Sequence, residues 1–440
     1  MNRLRNRQQH LGFVTFGCKV NQYESAFMAE QAEKLTFTLS SPEAADILVV
    51  NTCTVTARTD RQVRQCLRQW GRLQSPPTIL VTGCYAQRAP QELANFPGVK
   101  AVFGNVEKGR WLELLAAMSQ TAGTMVRVSD IQNCNRFVPM PLGSFWGHTR
   151  AFMKIQDGCG HYCSYCIVPL VRGPERSLPS SDLLRQLQHL SDAGFQEIVF
   201  TGVNLSRYGR DLPGDKGLID LVRLLRQTSW PLRFRFSSLE PQDISYGLLR
   251  ELSDWPHFCP HFHIPLQSGA SAVLAAMHRN YQPAWFEALI RELTALFPQA
   301  AVGLDVMVGF PTETAAAFEQ TKELLNRLPV AYLHVFPYSA RPGTEAAVLS
   351  PQTSAREVGQ RARSLRDLSH GKKLEFYQRH LGQVVEVLVE GPVAHRPGWL
   401  KGLTANYLRV MLPGPPEWVN RFIRLRLIEM NGQDLIGVAM

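Results

Sequence analysis

Apolar residues near the start of this chain fall in short continuous runs, at 12–16, 46–50, 78–82 and 99–103. Continuous runs, as opposed to alternating ones, predict strands of a parallel sheet covered on both faces. Helical spacing fills the gaps, over 24–35, 56–72 and 106–117. This alternation predicts a small doubly wound α/β domain over residues 1–124. A stretch rich in Pro, Gly and Asn follows, residues 125–149, ending in Phe145-Trp146-Gly-His148, and reads as a linker.

From residue 150 the rhythm repeats with longer units. Strand-like runs at 150–156, 197–200, 232–236, 261–264, 302–308 and 332–336 alternate with helical stretches such as 181–193, 218–228, 270–277 and 283–296. Six βα units predict an open, partial (β/α)6 barrel over residues 150–371. Its last helix, 356–373, is basic, with Arg361, Arg363, Arg366, Lys372 and Lys373. Short runs at 383–389, 407–412, 421–427 and 435–438, parted by Gly- and Pro-rich turns, predict a small antiparallel OB-like β-barrel over 372–440. The fold class is therefore α/β multidomain.

Composition narrows the function. The chain of 440 residues carries a formal net charge of +10, which attracts polyanions. No apolar run approaches the roughly 20 residues of a membrane helix. The basic start, Met1 to Arg7, leads into too short an apolar run for a signal peptide, so a cytoplasmic protein is expected. Nine cysteines in such a protein are expected to be thiols or metal ligands.

Six of them hold informative positions. Cys18, Cys53 and Cys84 each follow one of the first three strands, after Phe16-Gly17, Asn51-Thr52 and Thr82-Gly83. The carboxyl ends of parallel strands lie along one edge, where such folds bind ligands, so the three converge on a shared metal site. Cys159, Cys163 and Cys166 form a C-x3-C-x2-C loop directly after the first barrel strand. Three thiolates satisfy three of the four irons of a cubane cluster and leave one open to an outside ligand. Zinc sites prefer paired C-x2-C knuckles and four ligands. Polar strand tips would surround this loop, with Asn204, Ser238, Glu240 and Gln267 expected to bind cofactor. Cys66, Cys134 and Cys259 have no assigned role. Arg58, Arg61, Arg64 and Arg68 make a basic helix face that could meet RNA.

The loop, with Tyr165 before its last cysteine, resembles the signature of radical S-adenosylmethionine (SAM) enzymes. Gly17-Cys18-Lys-Val-Asn21-Gln-Tyr-Glu24-Ser25, Asn51-Thr-Cys53, Gly83-Cys84, Arg172-Gly173-x-x-Arg176-Ser177, Ser237-Ser-Leu-Glu240-Pro, Pro265-Leu-Gln267-Ser-Gly269 and Gly309-Phe-Pro311 resemble the methylthiotransferase family within them. Within that family the first stretch, and Gly402-Leu-Thr404-x-Asn406-Tyr-Leu-Arg-Val410, look most like the subgroup acting on threonylcarbamoyladenosine. Thr312 and Leu403 depart from the family pattern, where glycine and histidine are usual.

The resemblance implies two [4Fe-4S] clusters and SAM. Cys159, Cys163 and Cys166 would hold the SAM-cleaving cluster, and Cys18, Cys53 and Cys84 an auxiliary one. It implies methylthio insertion at position 2 of N6-threonylcarbamoyladenosine at tRNA position 37. Partners would be the tRNA anticodon loop, a reducing electron donor and a sulfur donor, with no membrane. Alternatives are the same chemistry on isopentenyladenosine or on a ribosomal aspartate, and a non-catalytic RNA-binding iron–sulfur sensor. The terminal barrel resembles the RNA-binding TRAM domain. Its candidate RNA contacts are Lys401, Asn406, Tyr407, Arg409, Arg421, Arg424 and Arg426.

Overall fold

The computed structural model describes residues 9–35, 37–118, 121–143, 149–214, 217–351 and 353–440. The basic start and the Phe145-Trp146-Gly-His148 end of the linker lie outside the described residues. In chain order the strands of the first domain are β1 (His10–Thr15), β2 (Thr38–Leu39), β3 (Ile47–Thr52), β4 (Thr78–Gly83), β5 (Val99–Phe103) and β6 (Met125–Arg127). Those of the central region are β7 (Arg150–Lys154), β8 (Gln156–Asp157), β9 (Arg176–Ser177), β10 (Glu197–Thr201), β11 (Arg233–Phe236), β12 (His261–Gln267), β13 (Ala301–Val308) and β14 (Tyr332–Pro337). The last five are β15 (Val384–Pro392), β16 (Trp399–Thr404), β17 (Arg409–Pro413), β18 (Phe422–Asn431) and β19 (Asp434–Ala439).

The chain groups into two compact units. One comprises Met1–Trp146, Gln156–Gln186 and Ser339–Ala347; the other comprises Gly147–Ile155, Leu187–Tyr338 and Val348–Met440.

In the first unit six parallel strands order as β2-β1-β3-β4-β5-β6. β3 is buried at every position, as its unbroken Ile-Leu-Val-Val run requires of a central strand covered on both faces. The helices that cover it include α1 (Lys19–Glu33) and α2 (Ala57–Gly71). α2 begins where the Thr56 side chain accepts the Thr59 amide, an N-cap that fixes the turn after Cys53. The expected doubly wound sheet is present. The two-residue β2 and three-residue β6, at its edges, are additions, too short to carry a periodic signal.

In the second unit, β7, β10 and β11 form one parallel set and β12, β13 and β14 another. Bridges at Phe234–Phe258 and Ser238–His263 link the two arcs. Among the described residues no pairing joins β14 to β7, so the (β/α)6 barrel is open, as expected. The terminal barrel closes in the order β15-β16-β17-β19-β18. Two details differ from expectation: β16 is an added strand, and β17 pairs with β19 in parallel.

The amino ends of the barrel strands carry a buried charge layer. Glu197 on β10 is fully buried and accepts from Arg233 and Arg235 on β11, at 2.6 and 2.8 Å. Those guanidiniums also donate to the Leu403, Thr404 and Ala405 carbonyls at the end of β16. The charged layer thus pins the terminal barrel to the (β/α) strands, whose cores merge through Ala301, Ala331, Phe376 and Tyr377. No described helix is long and apolar enough to cross a membrane.

Burial alone would raise the Glu197 pKa, but Arg235 and Arg233 outweigh it and hold it at about 2. A depressed carboxylate pKa stabilises the fold above its unfolded value and loses that contribution as pH falls. Stability should therefore drop by on the order of 3 kcal/mol between about pH 4.5 and pH 2 on account of this residue. Acid-titrated denaturation of wild type and Glu197→Gln checks this: the variant should be weaker at neutral pH by about 3–5 kcal/mol and lack that part of the acid slope.

Candidate active site

The three strand ends of the first unit come together as expected. Cys18 caps α1 just after β1, Cys53 follows β3, and Cys84 opens α3 (Cys84–Arg88) directly after β4. Two glycines make the close approach possible. Gly17 has φ +96°, and a Cβ there would lie 2.6 Å from Cys53 Cβ and 2.8 Å from its Sγ. Gly83 has φ +98°, and its Cβ would lie 2.3 Å from the Thr52 carbonyl oxygen. Both conformations suit only glycine at low cost. Asn21 stitches the first two loops, donating from Nδ2 to the Phe16 carbonyl at 2.8 Å and the Thr52 carbonyl at 3.0 Å. Asn51 returns the tie by donating to the Asn21 carbonyl and Ser25 Oγ.

The three thiols feel one another. Burial pushes the Cys53 thiol up to about 12, with Cys84 and then Cys18 adding to the rise. An iron–sulfur cluster, which binds thiolates, fits this donor set.

A cation already touches it. The chain after the C-x3-C-x2-C loop forms the short helix Val168–Arg172; its Val171 and the preceding Ile167 pack on Cys84. Arg172 is 2% exposed and donates from Nε to Cys84 Sγ at 3.3 Å. Its other nitrogens donate to Glu24 (2.6 and 3.1 Å), Asn21 Oδ1 (2.5 Å) and Asp157 (3.3 Å). Burial works against its charge, but Cys84, Glu24 and Asp157 together hold the guanidinium well above its ordinary pKa. Lys108, also fully buried, donates to Glu24 at 2.5 Å. Asn105 Nδ2 donates to the Val171 carbonyl at 2.8 Å. The family resemblance includes Glu24 and Arg172 in its motifs without giving either a site role, and Lys108 and Asn105 lie outside those motifs. The available signal was the motif Arg172-Gly173-x-x-Arg176-Ser177 just after the cysteine loop.

The loop itself belongs to the same unit. It leaves the short β8–β9 hairpin, in which Asp157 pairs with Arg176. Gly158, φ +76°, lies so close to Pro174 that a Cβ would fall 1.8 Å from its carbonyl oxygen. The Cys159 amide donates to the Gly173 carbonyl at 3.0 Å, and the Cys166 amide to the Cys163 carbonyl at 2.9 Å. Tyr162 takes φ +46° between the first two cysteines, which tightens the turn. Cys159, Cys163, Tyr165 and Cys166 are all half-buried, and none of the nine cysteines is in a disulfide. Ser339–Ala347 supports the loop, the Ala346 amide donating to the Ser164 carbonyl at 2.8 Å. In the same segment, buried Arg341 bonds buried Asp60 and Thr54.

The second unit holds the other expected site residues. Asn204 is buried after β10. Ser238 donates to the His263 carbonyl at 3.4 Å. Glu240 is ion-paired to buried Arg279 at 2.7 Å, a partner absent from the sequence reading. Gln267 is buried at φ +67°, and its Oε1 has no partner among the described residues. Such a strained residue with an unmet acceptor is characteristic of a ligand-binding strand tip. Cys259 lies away from these tips, buried 4.0 Å from Glu197.

The expected RNA contacts divide. Lys401, Arg409, Arg421, Arg424 and Arg426 are exposed. Asn406 and Tyr407 instead serve packing inside the unit. Asn406 donates to the Gln299 carbonyl at 2.8 Å, and Tyr407 stacks on His261 at 4.1 Å between ring centroids. Of the basic helix, Arg361 pairs with Glu313 and Lys372 donates to the Asn326 and Leu328 carbonyls, leaving Arg363 and Arg366 exposed. Of the four α2 arginines, Arg64 is tied to Tyr85 at 2.6 Å; Arg58, Arg61 and Arg68 are exposed.

Comparison with known proteins agrees with this architecture. Residues 10–104 match uncharacterized protein family UPF0004, and residues 153–325 match the radical SAM superfamily. A threonylcarbamoyladenosine tRNA methylthiotransferase from Rickettsia prowazekii (strain Madrid E) is 37% identical over 399 residues, 90% of this chain and 92% of the relative. A tRNA-2-methylthio-N(6)-dimethylallyladenosine synthase from Methylacidiphilum infernorum (isolate V4) is 32% identical, over 97% and 94%. Among solved structures, the radical SAM methyltransferase TsrM from Kitasatospora setae shares the fold at TM-score 0.55 and 14% identity, over 78% of this chain and 75% of that one. An enzyme, and not a non-catalytic sensor, follows from relatives matched over nearly their whole length: the chain belongs to the radical SAM tRNA methylthiotransferase family.

Proposed function

We propose that this enzyme inserts a methylthio group at position 2 of N6-threonylcarbamoyladenosine at position 37 of tRNA. The observation that carries the chemistry is the meeting of Cys18, Cys53 and Cys84 at one sheet edge beneath Arg172. What supports the substrate is the printed activity of the Rickettsia relative, with its higher identity than the dimethylallyladenosine relative.

Cys159, Cys163 and Cys166 would ligate a [4Fe-4S] cluster, with Tyr165 beside it and Asn204, Ser238, Glu240 and Gln267 serving SAM. When bound and reduced, that cluster supplies the electron that cleaves SAM and starts hydrogen abstraction. Cys18, Cys53 and Cys84 would hold a second [4Fe-4S] cluster, which supplies the site for the sulfur that is inserted. The protein's own work is electrostatic and geometric. Gly17 and Gly83 let the loops close, and Asn21 and Asn51 lock them. Arg172 donates to one ligand sulfur and opposes the negative charge of the thiolates. Residues 1–124 would form the auxiliary-cluster domain, 150–371 the SAM-cleaving domain and 372–440 the tRNA-binding domain, with 125–149 as linker. An electron donor and a sulfur donor complete the reaction in the cytoplasm.

Four outcomes test this. Cys53→Ser should lose about half of the iron and sulfide of the reconstituted protein and all methylthio product; retention of full product would refute the auxiliary site. Gly17→Ala should show the same iron loss, because its Cβ has no room beside Cys53. Arg172→Gln should lower the reduction potential of the amino-terminal cluster, read by redox titration of its absorption, and weaken the fold by about 3–5 kcal/mol, because buried Glu24 keeps Lys108 but loses the guanidinium. In a strain deleted for the gene, mass spectrometry of tRNA nucleosides should show loss of the methylthio form of threonylcarbamoyladenosine. Loss of the methylthio isopentenyl form instead would assign the other substrate.

A further inference from the structure

The second unit holds a cluster that the proposed chemistry does not use. His263 on β12, Asp305 on β13 and His334 on β14 stand on three adjacent strands, with the carboxylate on the middle one. Their ligand atoms lie within 4.8 Å of one another. His263 Nε2 is 2.8 Å from Asp305 Oδ1, and the His263 and His334 rings are 5.0 Å apart between centroids. His263 and Asp305 are half-buried and His334 is exposed, so the cluster is open on one side.

The ground beneath it is built. Tyr332, two residues before His334, lays its ring across Gly303, where a Cβ would fall 2.2 Å from the ring. Tyr332 Oη is held by His261 Nε2 at 2.7 Å, and its ring centroid lies 5.2 Å from that of His334. A side chain at Gly303 would push this floor away, so the strand carries no side chain two residues before its one acidic position.

Chemistry selects the ligand. A central carboxylate disfavours anions, and two imidazoles with one carboxylate match the donor set of first-row transition metals better than that of Mg²⁺ or Ca²⁺. At bond lengths of about 2.0–2.2 Å the ligand atoms of such a shell sit roughly 3–3.5 Å apart, reachable here by modest ring rotation. Three protein ligands on one open wall leave coordination positions for an outside molecule, as catalytic rather than structural sites do.

We propose that His263, Asp305 and His334 bind one divalent transition-metal ion, distinct from any iron–sulfur cluster. The inference does not depend on the tRNA substrate. Its test is zinc retention by the full-length, cluster-reconstituted protein after exposure to Zn²⁺ and gel filtration. Wild type should keep one zinc per chain with a nitrogen and oxygen shell by zinc-edge X-ray absorption. His334→Ala, at an exposed position that should not alter thermal unfolding, and the near-isosteric Asp305→Asn should each bind zinc at least roughly tenfold more weakly. No retained zinc, a sulfur shell, or equal retention in both variants overturns the proposal.

Discussion

One guanidinium holds the first unit together at its chemical centre. Arg172 is buried and has five donors, and the structure uses all of its directions: a thiol sulfur, two carboxylates and an amide oxygen. An arginine buried this deeply is tolerable only when each donor is met, since a single unmet charge costs several kcal/mol. Lysine could not replace it, because a point charge on a flexible stem cannot meet four partners in a plane. The arrangement therefore fixes Glu24 on α1, Cys84 at the head of α3 and Asp157 at the root of the cysteine loop with one side chain. Lys108 completes the charge balance by sharing Glu24.

That centre was half legible in the sequence. Cys18, Cys53 and Cys84 could be read because strand ends and a small residue before each cysteine are local signals, and the sheet order that gathers them follows from parallel topology. The C-x3-C-x2-C loop is likewise local. Arg172 was not legible as a site residue, since its partners lie 15, 88, 148 and 151 positions away and no spacing rule connects them. The same holds for Arg279, whose partner Glu240 lies 39 positions away. Missed strands have a different cause. β2 and β6 are edge strands of two and three residues, and β16 begins at Trp399 after a turn and carries Lys401 and Gly402 in its middle, which breaks the apolar run.

Charge in this chain is divided between buried and exposed positions. Ten excess positive charges invite the reading that clustered arginines face RNA. Arg233 and Arg235 instead lie at the base of the barrel strands, neutralised by Glu197 and capped by the carbonyls of residues 403–405. Arg361, Lys372 and Arg64 are consumed by similar internal bonds. Asn406 and Tyr407 lie at the seam by which the terminal barrel meets the strands: Asn406 reaches Gln299 and His380, while Tyr407 lies between His261 and Arg235.

This partition changes what an RNA surface can be in the second unit. A residue that both pins the terminal barrel and binds nucleic acid would couple affinity to folding, and its substitution would weaken both at once. Arg421 and Arg424 avoid that conflict. They stand on or beside β18, where Arg424 and Arg426 alternate with buried Leu425 and Leu427, so their charge points away from the core that the leucines form. Arg426, by contrast, is tied to the Gly382 carbonyl and Arg409 to Asp434, whereas Lys401 is exposed. The buried arginines set the architecture, and the exposed ones contribute the positive surface that attracts polyanions.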